Sequence, residues 1–341
     1  MPEVEITSAT QVLDDSGQPF NFGWARSPHY MFDSRMLKVP LRSISESDRY
    51  VLFTSTHMIV FEILDDGYLG CLCLSILSLK DKKRSTFTSK TLFPLGSFEL
   101  PKDGDSHSIK FRQKKNFLNF AVMEEGIRII KIDIPKFNRR GSLRGQIVLT
   151  PPPGAQSLYT HMPWRDIPGA FCLSRCSPWY SVEGVIQFGP TEIVFTQGGG
   201  WGIFDWNRGV RPPSDVKFWA SGCGRFNGRQ AGFNLGNNSA DPGRGTENAF
   251  FLEGQIHKLE QVNFHIPSGP EDPWRFTSTD KRLEMTFTPK QERNESHQVF
   301  FYSLKRRQLF GSFSGRVILD SGDEFAFQNL YGMAERRRSR W

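Results

Sequence analysis

Short runs of alternating apolar and polar residues, separated by turn residues, extend through most of this 341-residue chain. The clearest pair, "VKFWASGCGRF" and "RQAGFNLG", flanks Asn227-Gly228. An Asn-Gly pair between two alternating runs is the strongest short signal for a β-hairpin. No long stretch carries the 3.6-residue apolar period of a helix, so the pattern predicts antiparallel strands.

Similar pairs of runs surround other short polar segments. The predicted turns are Asp65-Asp66-Gly67, Lys114-Lys115-Asn116, Glu124-Glu125-Gly126, Glu253-Gly254, Asp280-Lys281 and Lys305 to Arg307. The chain also contains 30 Phe and 31 Gly, which favour strands and tight turns. Because so many strands must protect their edges by closure or stacking, we expect an all-β fold of two antiparallel barrels or sandwiches packed together.

A run of prolines interrupts this pattern near the middle of the chain. Pro151 to Pro153 cannot donate hydrogen bonds to a sheet, so a continuous strand is not expected there. We therefore predict an N-terminal β-barrel domain over residues 1–150 and a C-terminal one over residues 151–341.

The cysteine and histidine patterns argue against a metal centre. The five cysteines form no regular disulfide framework. Cys172 and Cys176 lie four apart, but no cysteine or histidine pair follows them at zinc-site spacing. No metal and no cofactor is expected. The longest apolar run, "CLCLSILSL" at 71–79, is too short to span a bilayer, and no signal-peptide core is visible, so we predict a cytoplasmic location.

The net charge of +7 comes largely from two clusters, "LKRRQ" at 304–308 and "ERRRSRW" at 335–341. Neither cluster belongs to a nucleic-acid-binding motif, and no nucleic-acid partner is expected. Two alternatives remain open: a solvated turn and tail, or a weak contact of the basic C-terminal tail with an anionic surface.

The Asn227-Gly228 turn sets a register for its hairpin, because a two-residue turn pairs Phe226 with Arg229. Side chains then alternate between two faces. One face is small and apolar, and the other has the mixed character of a pocket wall; a solvent-facing strand surface is the alternative. The second face holds Trp219, Ser221, Cys223, Arg225, Gln230 and Asn234.

Two pairs of charged residues are candidate functional groups. The Glu253-Gly254 turn brings Glu247 opposite Glu260, and paired carboxylates form an acid–base couple or, alternatively, part of a charged surface ladder. Asp205 and Arg208, in a predicted turn, have the spacing of a carboxylate–guanidinium pair. His161 and Trp164 follow the predicted domain boundary, where ligand sites are frequent; a capped turn is the other interpretation of His161.

The block from 201 to 254 also resembles the family known as domain of unknown function 2804. The resemblance covers most of the chain and includes the early "GWARSPHYMFDSRMLK". Its layout is similar to that of lipocalin- or calycin-like two-barrel proteins that bind or transform isoprenoids, such as carotenoid hydratases and tocopherol cyclases. The matching positions are Asp205, Trp206, Arg208, Gly209, Trp219, Ala220, Asn234, Leu235, Glu247, Asn248 and Ala249.

These observations lead to a first functional hypothesis: a protein that binds a hydrophobic, lipid- or isoprenoid-like small molecule, with hydratase- or cyclase-type acid catalysis. Asp205 or Glu247 is the candidate acid, and indole rings stabilise the developing cation. The alternatives are a non-catalytic protein that binds a partner, a glycan or a membrane surface, and a glycoside hydrolase using Glu247 and Glu260. The candidate ligand-binding residues are Trp201, Trp206, Arg208, Trp219, Ser221, Asn234, Asn248, His161 and Trp164.

Overall fold

The computed structural model describes residues 3–105, 108–138, 141–238, 240–269 and 272–341. Within these residues the regular structure is β-strands and short 3-10 turns at Ser34–Met36, Leu41–Ser43 and Glu124–Gly126. A small parallel pair near the N-terminus joins β1 (Thr10–Gln11) to β3 (Tyr30–Met31). The other strands form two large antiparallel sheets.

The first sheet contains thirteen strands. They are β2 (Gly23–Ala25), β4 (Ile44–Phe53), β5 (His57–Asp65), β6 (Leu69–Ser78), β7 (Arg84–Leu92), β8 (Ile109–Gln113), β9 (Asn116–Val122), β10 (Arg128–Asn138), β11 (Gly141–Thr150), β12 (Leu158–Pro163), β13 (Phe171–Phe188), β14 (Thr191–Phe195) and β15 (Trp201–Val210). The main path is β7-β6-β5-β4-β15-β13-β11-β10-β9-β8, with β12 and β14 paired to β13 and β2 paired to β12.

The second sheet contains nine strands in the order β19-β18-β17-β16-β24-β23-β22-β21-β20. They are β16 (Ser214–Phe226), β17 (Arg229–Asn237), β18 (Ala249–Leu252), β19 (Gln255–Lys258), β20 (Val262–His265), β21 (Trp274–Ser278), β22 (Leu283–Val299), β23 (Tyr302–Ile318) and β24 (Glu324–Arg340). Each sheet curls into a half-barrel, which confirms the predicted all-β fold of two packed antiparallel units.

The change from one sheet to the other lies between Val210 and Ser214, about 60 residues beyond the predicted boundary at 151. Pro151 follows the end of β11, and β11 pairs with β13 on the far side of the proline run. The prolines therefore end one strand without ending the sheet, because the chain returns to the same sheet with β12 and β13. Residues 151–210 extend the first sheet and belong to the first half-barrel.

Most predicted turns occur where the sequence places them. The Asn227-Gly228 hairpin has the predicted register, with Phe226 opposite Arg229 and Ser221 opposite Asn234. Three predictions of local structure are wrong. Lys305 to Arg307 lie inside β23, and the preceding turn is at Phe300 and Phe301; the basic C-terminal segment is the end of β24 and not a free tail. Residues 201–210, expected to form a loop or turn, are the strand β15.

Apolar clusters fill each half-barrel and lie between the two sheets. One fills the first half-barrel and includes Tyr50, Phe120 and Phe204, and a second fills the other with Phe233, Phe313 and further rings. The third lies between the sheets, where β4, β5 and β15 pack on β16 and β24. Trp219 and Cys223 belong to this third cluster, whereas Ala231 and Phe233 belong to the second, so the two faces of the hairpin separate as predicted.

Candidate functional site

A groove of about 510 Å³ lies where the two half-barrels meet. It is bounded by the end of β17, the segment between β17 and β18, and the end of β12. This volume is within the range of small-molecule sites. Amide and other polar side chains predominate along its walls, with a smaller apolar part. The lining residues are Met162, Arg165, Gly236, Asn237, Asn238, Ala240, Pro242, Gly245, Thr246, Glu247, Asn248, Gln261 and Val262.

An ion pair between Glu247 and Lys217 lies at the floor of this groove. Lys217 Nζ donates a hydrogen bond of 2.9 Å to Glu247 Oε1 and lies 2.7 Å from Oε2. Both side chains are buried, with relative exposures of 4% for Glu247 and 9% for Lys217. Gly236 permits this arrangement, because a Cβ at that position would lie 2.5 Å from Glu247 Oε2. The carboxylate of Glu247 therefore packs against the backbone of β17 at Gly236, where the strand has no side chain.

The electrostatics of the pair keep a positive charge beside the carboxylate. Burial disfavours the ammonium of Lys217, but Glu247 and the thiol of Cys172 outweigh that effect and raise the pKa of Lys217 above its usual value. Lys217 is thus protonated at neutral pH and places a positive charge beside the carboxyl group of Glu247 at the groove.

Several residues predicted from the sequence hold Glu247 in place. Trp219 Nε1 donates to Asn234 Oδ1 at 2.9 Å, and Asn234 Nδ2 donates to the Glu247 carbonyl at 2.7 Å. Asn248 accepts from the backbone N–H of Gly236 at 2.9 Å. The structure therefore joins Trp219, Asn234 and Glu247 through hydrogen bonds, and Asn248 fixes the adjoining backbone at Gly236. Glu247 and Asn248 both line the groove.

The Trp219 face itself is neither a cavity wall nor a solvent-facing surface. Trp219 and Ser221 are buried between the sheets, and the Ser221 hydroxyl donates to the Phe233 carbonyl at 2.7 Å. The guanidinium of Arg49, from β4, lies 4.2 Å from the centre of the Trp219 ring. Trp201 is in the same interface. This face therefore packs one half-barrel against the other. It forms neither the pocket wall nor the solvent-facing surface predicted from the sequence.

Asp205, the other candidate acid, is also in this interface. Arg49 Nη2 donates to Asp205 Oδ2 at 2.8 Å, and Arg49 Nη1 donates to Glu335 Oε2 at 3.0 Å. One guanidinium therefore joins carboxylates from both sheets. Asp205 is absent from the lining of the groove, and its contacts indicate a role in holding the half-barrels together.

The predicted pairing of Asp205 with Arg208 is wrong. Because the two residues lie three apart on a strand, their side chains point to opposite faces of β15. Arg208 and Trp206 lie in the first half-barrel, with the guanidinium 4.6 Å from the centre of the indole. Arg208 Nη2 is 2.8 Å from Asp48 Oδ1 and donates to the Pro101 carbonyl at 2.7 Å.

Two further buried arginines in the first half-barrel were not found from the sequence. Arg128 donates to the hydroxyls of Tyr180 and Tyr50 at 2.7 Å and 2.9 Å, and Arg175 donates to the Gly104 carbonyl at 2.9 Å. Together with Arg208 they hold the segment that contains Pro101 and Gly104. The sequence carries little signal for them, since an arginine on a strand is usually exposed.

The predicted carboxylate couple of Glu247 and Glu260 does not form. Glu247 is directed at Lys217, whereas Glu260 is exposed and accepts a 2.8 Å hydrogen bond from the Thr279 hydroxyl. Their different partners remove the arrangement that a glycoside hydrolase would need. Glu247 is left as a single carboxylate with a cationic neighbour.

His161 and Trp164 are close in sequence but differ in their surroundings. His161 is fully buried, with Phe22 at 4.6 Å and Phe171 at 5.2 Å between ring centres. Trp164 lines a narrow cleft of about 40 Å³ that also includes Cys172 and Lys217. Lys217 therefore lies between this cleft and the groove, whereas His161 contacts neither.

A stability prediction follows from the burial of His161. Desolvation lowers the pKa of His161 to about 3, only partly opposed by the carbonyls of Asn21 and Phe20. Below about pH 6.5 the unfolded chain gains a proton that the folded chain does not, so the free energy of unfolding should fall from about pH 6.5 to about pH 3. The expected cost is about 1.4 kcal/mol per pH unit from this residue.

Urea unfolding midpoints measured across this pH range test the prediction. His161→Phe should remove one proton from the uptake that accompanies unfolding and flatten the pH dependence. His297, whose pKa burial lowers to about 4, should still contribute in this variant. His265→Phe, at an exposed position, is the matched control. Equal pH dependence in wild type and His161→Phe would contradict the assignment.

The chain belongs to the family described as domain of unknown function 2804, which matches residues 3–341. No curated protein matches the sequence significantly. The match over residues 3–341 confirms the predicted family membership, and the description of the family assigns no activity to it.

Solved structures share the fold at low sequence identity. CghA is 11% identical, with a TM-score of 0.50 over 88% of each chain. A candidate AttH protein from Nitrosomonas europaea is 12% identical, with a TM-score of 0.50 over 86% of this chain and 91% of the other. Kievitone hydratase from Nectria haematococca is 9% identical, with a TM-score of 0.45 over 87% and 88% of the two chains. These similarities concern the fold alone.

The described residues contain no group of three or more His, Cys, Asp or Glu side chains placed to hold a metal ion. Within the same residues, no helix has the length and apolar character needed to cross a bilayer.

Proposed function

We propose that this protein binds a small organic molecule in the groove between its half-barrels and that Glu247 transfers a proton to and from it. The observation that carries this proposal is a buried carboxylate–ammonium pair at the floor of a cavity of ligand size. Polar networks of this kind are costly to bury, and in a cleft they are typical of functional sites.

The walls of the groove indicate what the molecule looks like. Asn237 and Gln261 offer donors and acceptors, whereas Met162 and Val262 offer apolar contact. The lining is more polar than the pocket expected from the sequence. We therefore propose a ligand with an apolar frame and several hydroxyl or carbonyl groups, rather than a pure hydrocarbon.

The ion pair favours base-assisted addition of water to a double bond conjugated to a carbonyl. Glu247 accepts a proton from water while the water oxygen bonds to the electron-poor carbon and the π electrons move toward the carbonyl. The proton then returns from Glu247 to the neighbouring carbon, so that one water is added overall. Lys217 places a positive charge beside the carboxylate. Glu247 thus acts first as a base, the reverse of the initial acid step expected from the sequence.

A variant that fills the groove tests where the molecule binds. Gln261 is exposed at the rim, so Gln261→Trp should fold normally and block the opening. Calorimetric titration with a panel of hydroxylated α,β-unsaturated ketones should show binding to the wild type that the variant weakens by about tenfold or more, which corresponds to the loss of ~1.4 kcal/mol of contact.

Gln298→Trp provides the matched control, since Gln298 is exposed on β22 and is not part of the groove lining. It should bind the same ketones as the wild type does. Equal affinity for all three proteins would place the binding site elsewhere.

A further inference from the structure

The open end of the second half-barrel is lined by cations on neighbouring strands. In the register of β23 and β24, Lys305 lies opposite Arg338, and Arg307 lies opposite Arg336. These are the two basic clusters of the sequence, which the fold brings side by side. Like charges directly opposite each other destabilise a sheet.

The cations continue the concave face of the half-barrel. Leu309 on β23 and Ala334 on β24 are buried in its apolar core, and side chains two and four residues farther along each strand point the same way. The lining thus changes from apolar to cationic toward the mouth. Arg306 lies on the other face, where it contacts Glu62 of the first half-barrel.

Few carboxylates compensate the charges at this mouth. Arg307 pairs with Glu292 at 3.1 Å. Among the described residues, no acidic side chain forms a salt bridge with Lys305, Arg336 or Arg338. Arg336 instead lies with its guanidinium 5.6 Å from the centre of the Phe218 ring, which helps to hold it in position. The repulsion among these cations would be relieved by a bound anion.

A cavity of about 550 Å³ lies over these side chains. Its rim on β22 contributes Asn294 and Ser296, which lie opposite Arg307 and Lys305. The rim also contributes Glu295, which pairs with Arg293 and Arg306. Guanidinium, ammonium, amide and hydroxyl groups are the donors that phosphate oxygens accept most strongly. The cavity thus combines hydrogen-bond donors with more cationic than anionic side chains.

We propose that the mouth of the second half-barrel is a binding site for a phosphate group. The site is separate from the groove at Glu247 and does not depend on the function proposed there. The phosphate could belong to a soluble molecule or to a lipid headgroup. Phe300 and Phe301, at the tip of the β22–β23 hairpin, are 73% and 81% exposed, as expected of side chains that insert into a lipid surface.

Calorimetric titration with tripolyphosphate at low ionic strength tests the site. The wild type should bind tripolyphosphate. The double variant Arg336→Gln, Arg338→Gln should lose at least about tenfold in affinity, because two charge-assisted contacts are lost. The matched control, Lys131→Gln with Lys136→Gln, removes two exposed charges from β10 and should bind as the wild type does. Absence of wild-type binding, or equal losses in both variants, would overturn the proposal.

A second arm identifies the source of the phosphate. Sedimentation with vesicles of phosphatidylcholine containing a phosphatidylinositol phosphate is compared with and without tripolyphosphate. The ligand is a lipid headgroup if tripolyphosphate displaces the protein from vesicles and the double variant Phe300→Ser, Phe301→Ser no longer binds them. The ligand is a soluble phosphate compound if the protein binds tripolyphosphate but not vesicles. Vesicle binding unchanged in Arg336→Gln, Arg338→Gln would overturn the lipid assignment.

Discussion

Glu247→Gln should lower the rate of water addition by ~10²–10⁴-fold, the range typical of the loss of a general acid or base. The amide cannot accept a proton, although it fills nearly the same volume. Binding should be largely retained, because Asn248 and the other amides of the groove are unchanged. The rate is measured by mass spectrometry as the conversion of hydroxylated α,β-unsaturated ketones to their hydrates.

Two further variants separate a chemical effect from a structural one. Glu247→Gln leaves the ammonium of Lys217 without its carboxylate partner. The double variant Glu247→Gln, Lys217→Met removes both charges and should be as inactive as Glu247→Gln alone. Glu260→Gln changes an exposed carboxylate nearby and should keep the wild-type rate. A wild-type rate in Glu247→Gln would remove the proton-transfer role from this residue.

Arg49→Met should lower the free energy of unfolding by about 3–5 kcal/mol, because it leaves two buried carboxylates without their partner. Arg49 is 6% exposed and joins Asp205 of the first sheet to Glu335 of the second. Burial alone would raise the pKa of Glu335, but Arg49 and Arg306 lower it to about 2. Since the pKa of folded Glu335 is depressed, this stabilisation is present at neutral pH and is lost as the pH falls from about 4.5 through about 2.

Urea denaturation followed by far-ultraviolet circular dichroism measures the effect. Arg144→Met is the matched control, because Arg144 pairs with Asp133 at 2.9 Å on the surface, with side-chain exposures of 57% and 49%. Loss of that pair should change stability by no more than about 1 kcal/mol. Similar losses in both variants would show that Arg49 does not hold the half-barrels together.

The hairpin at Asn227-Gly228 shows how much of the fold the sequence determines. Its turn type and its alternation together specify the register, and the register specifies which residues share a face. The structure has that register and that division between apolar core and sheet interface. What lies across the interface depends on the order of the strands, and turn chemistry carries no information about that order.

The contacts of the candidate site illustrate this limit. Asp205 is 156 residues from Arg49, and the two meet because β15 is inserted beside β4 in the first sheet. Lys217 and Glu247 meet across β17 because position 236 is a glycine. Such pairs depend on tertiary packing, so local spacing suggested other partners for Asp205 and Glu247.

The predictions from the basic clusters and the proline run fail for a related reason. A charged run such as Lys305 to Arg307 resembles a turn in the sequence, yet a strand tolerates it where the sheet extends beyond its apolar core. Pro151 to Pro153 do end a strand, but a sheet with non-local connections continues past such an interruption. In both places local composition indicates the end of apolar packing and not the end of a sheet.

A crystal structure of the protein with a bound hydroxylated α,β-unsaturated ketone would show whether a small molecule lies in the groove beside Glu247. We expect the ketone in the cavity lined by Asn248 and Gln261, with its electron-poor carbon near the carboxylate of Glu247. A ketone bound inside the first half-barrel, or at the cationic mouth of the second, would rule out the groove as its binding site.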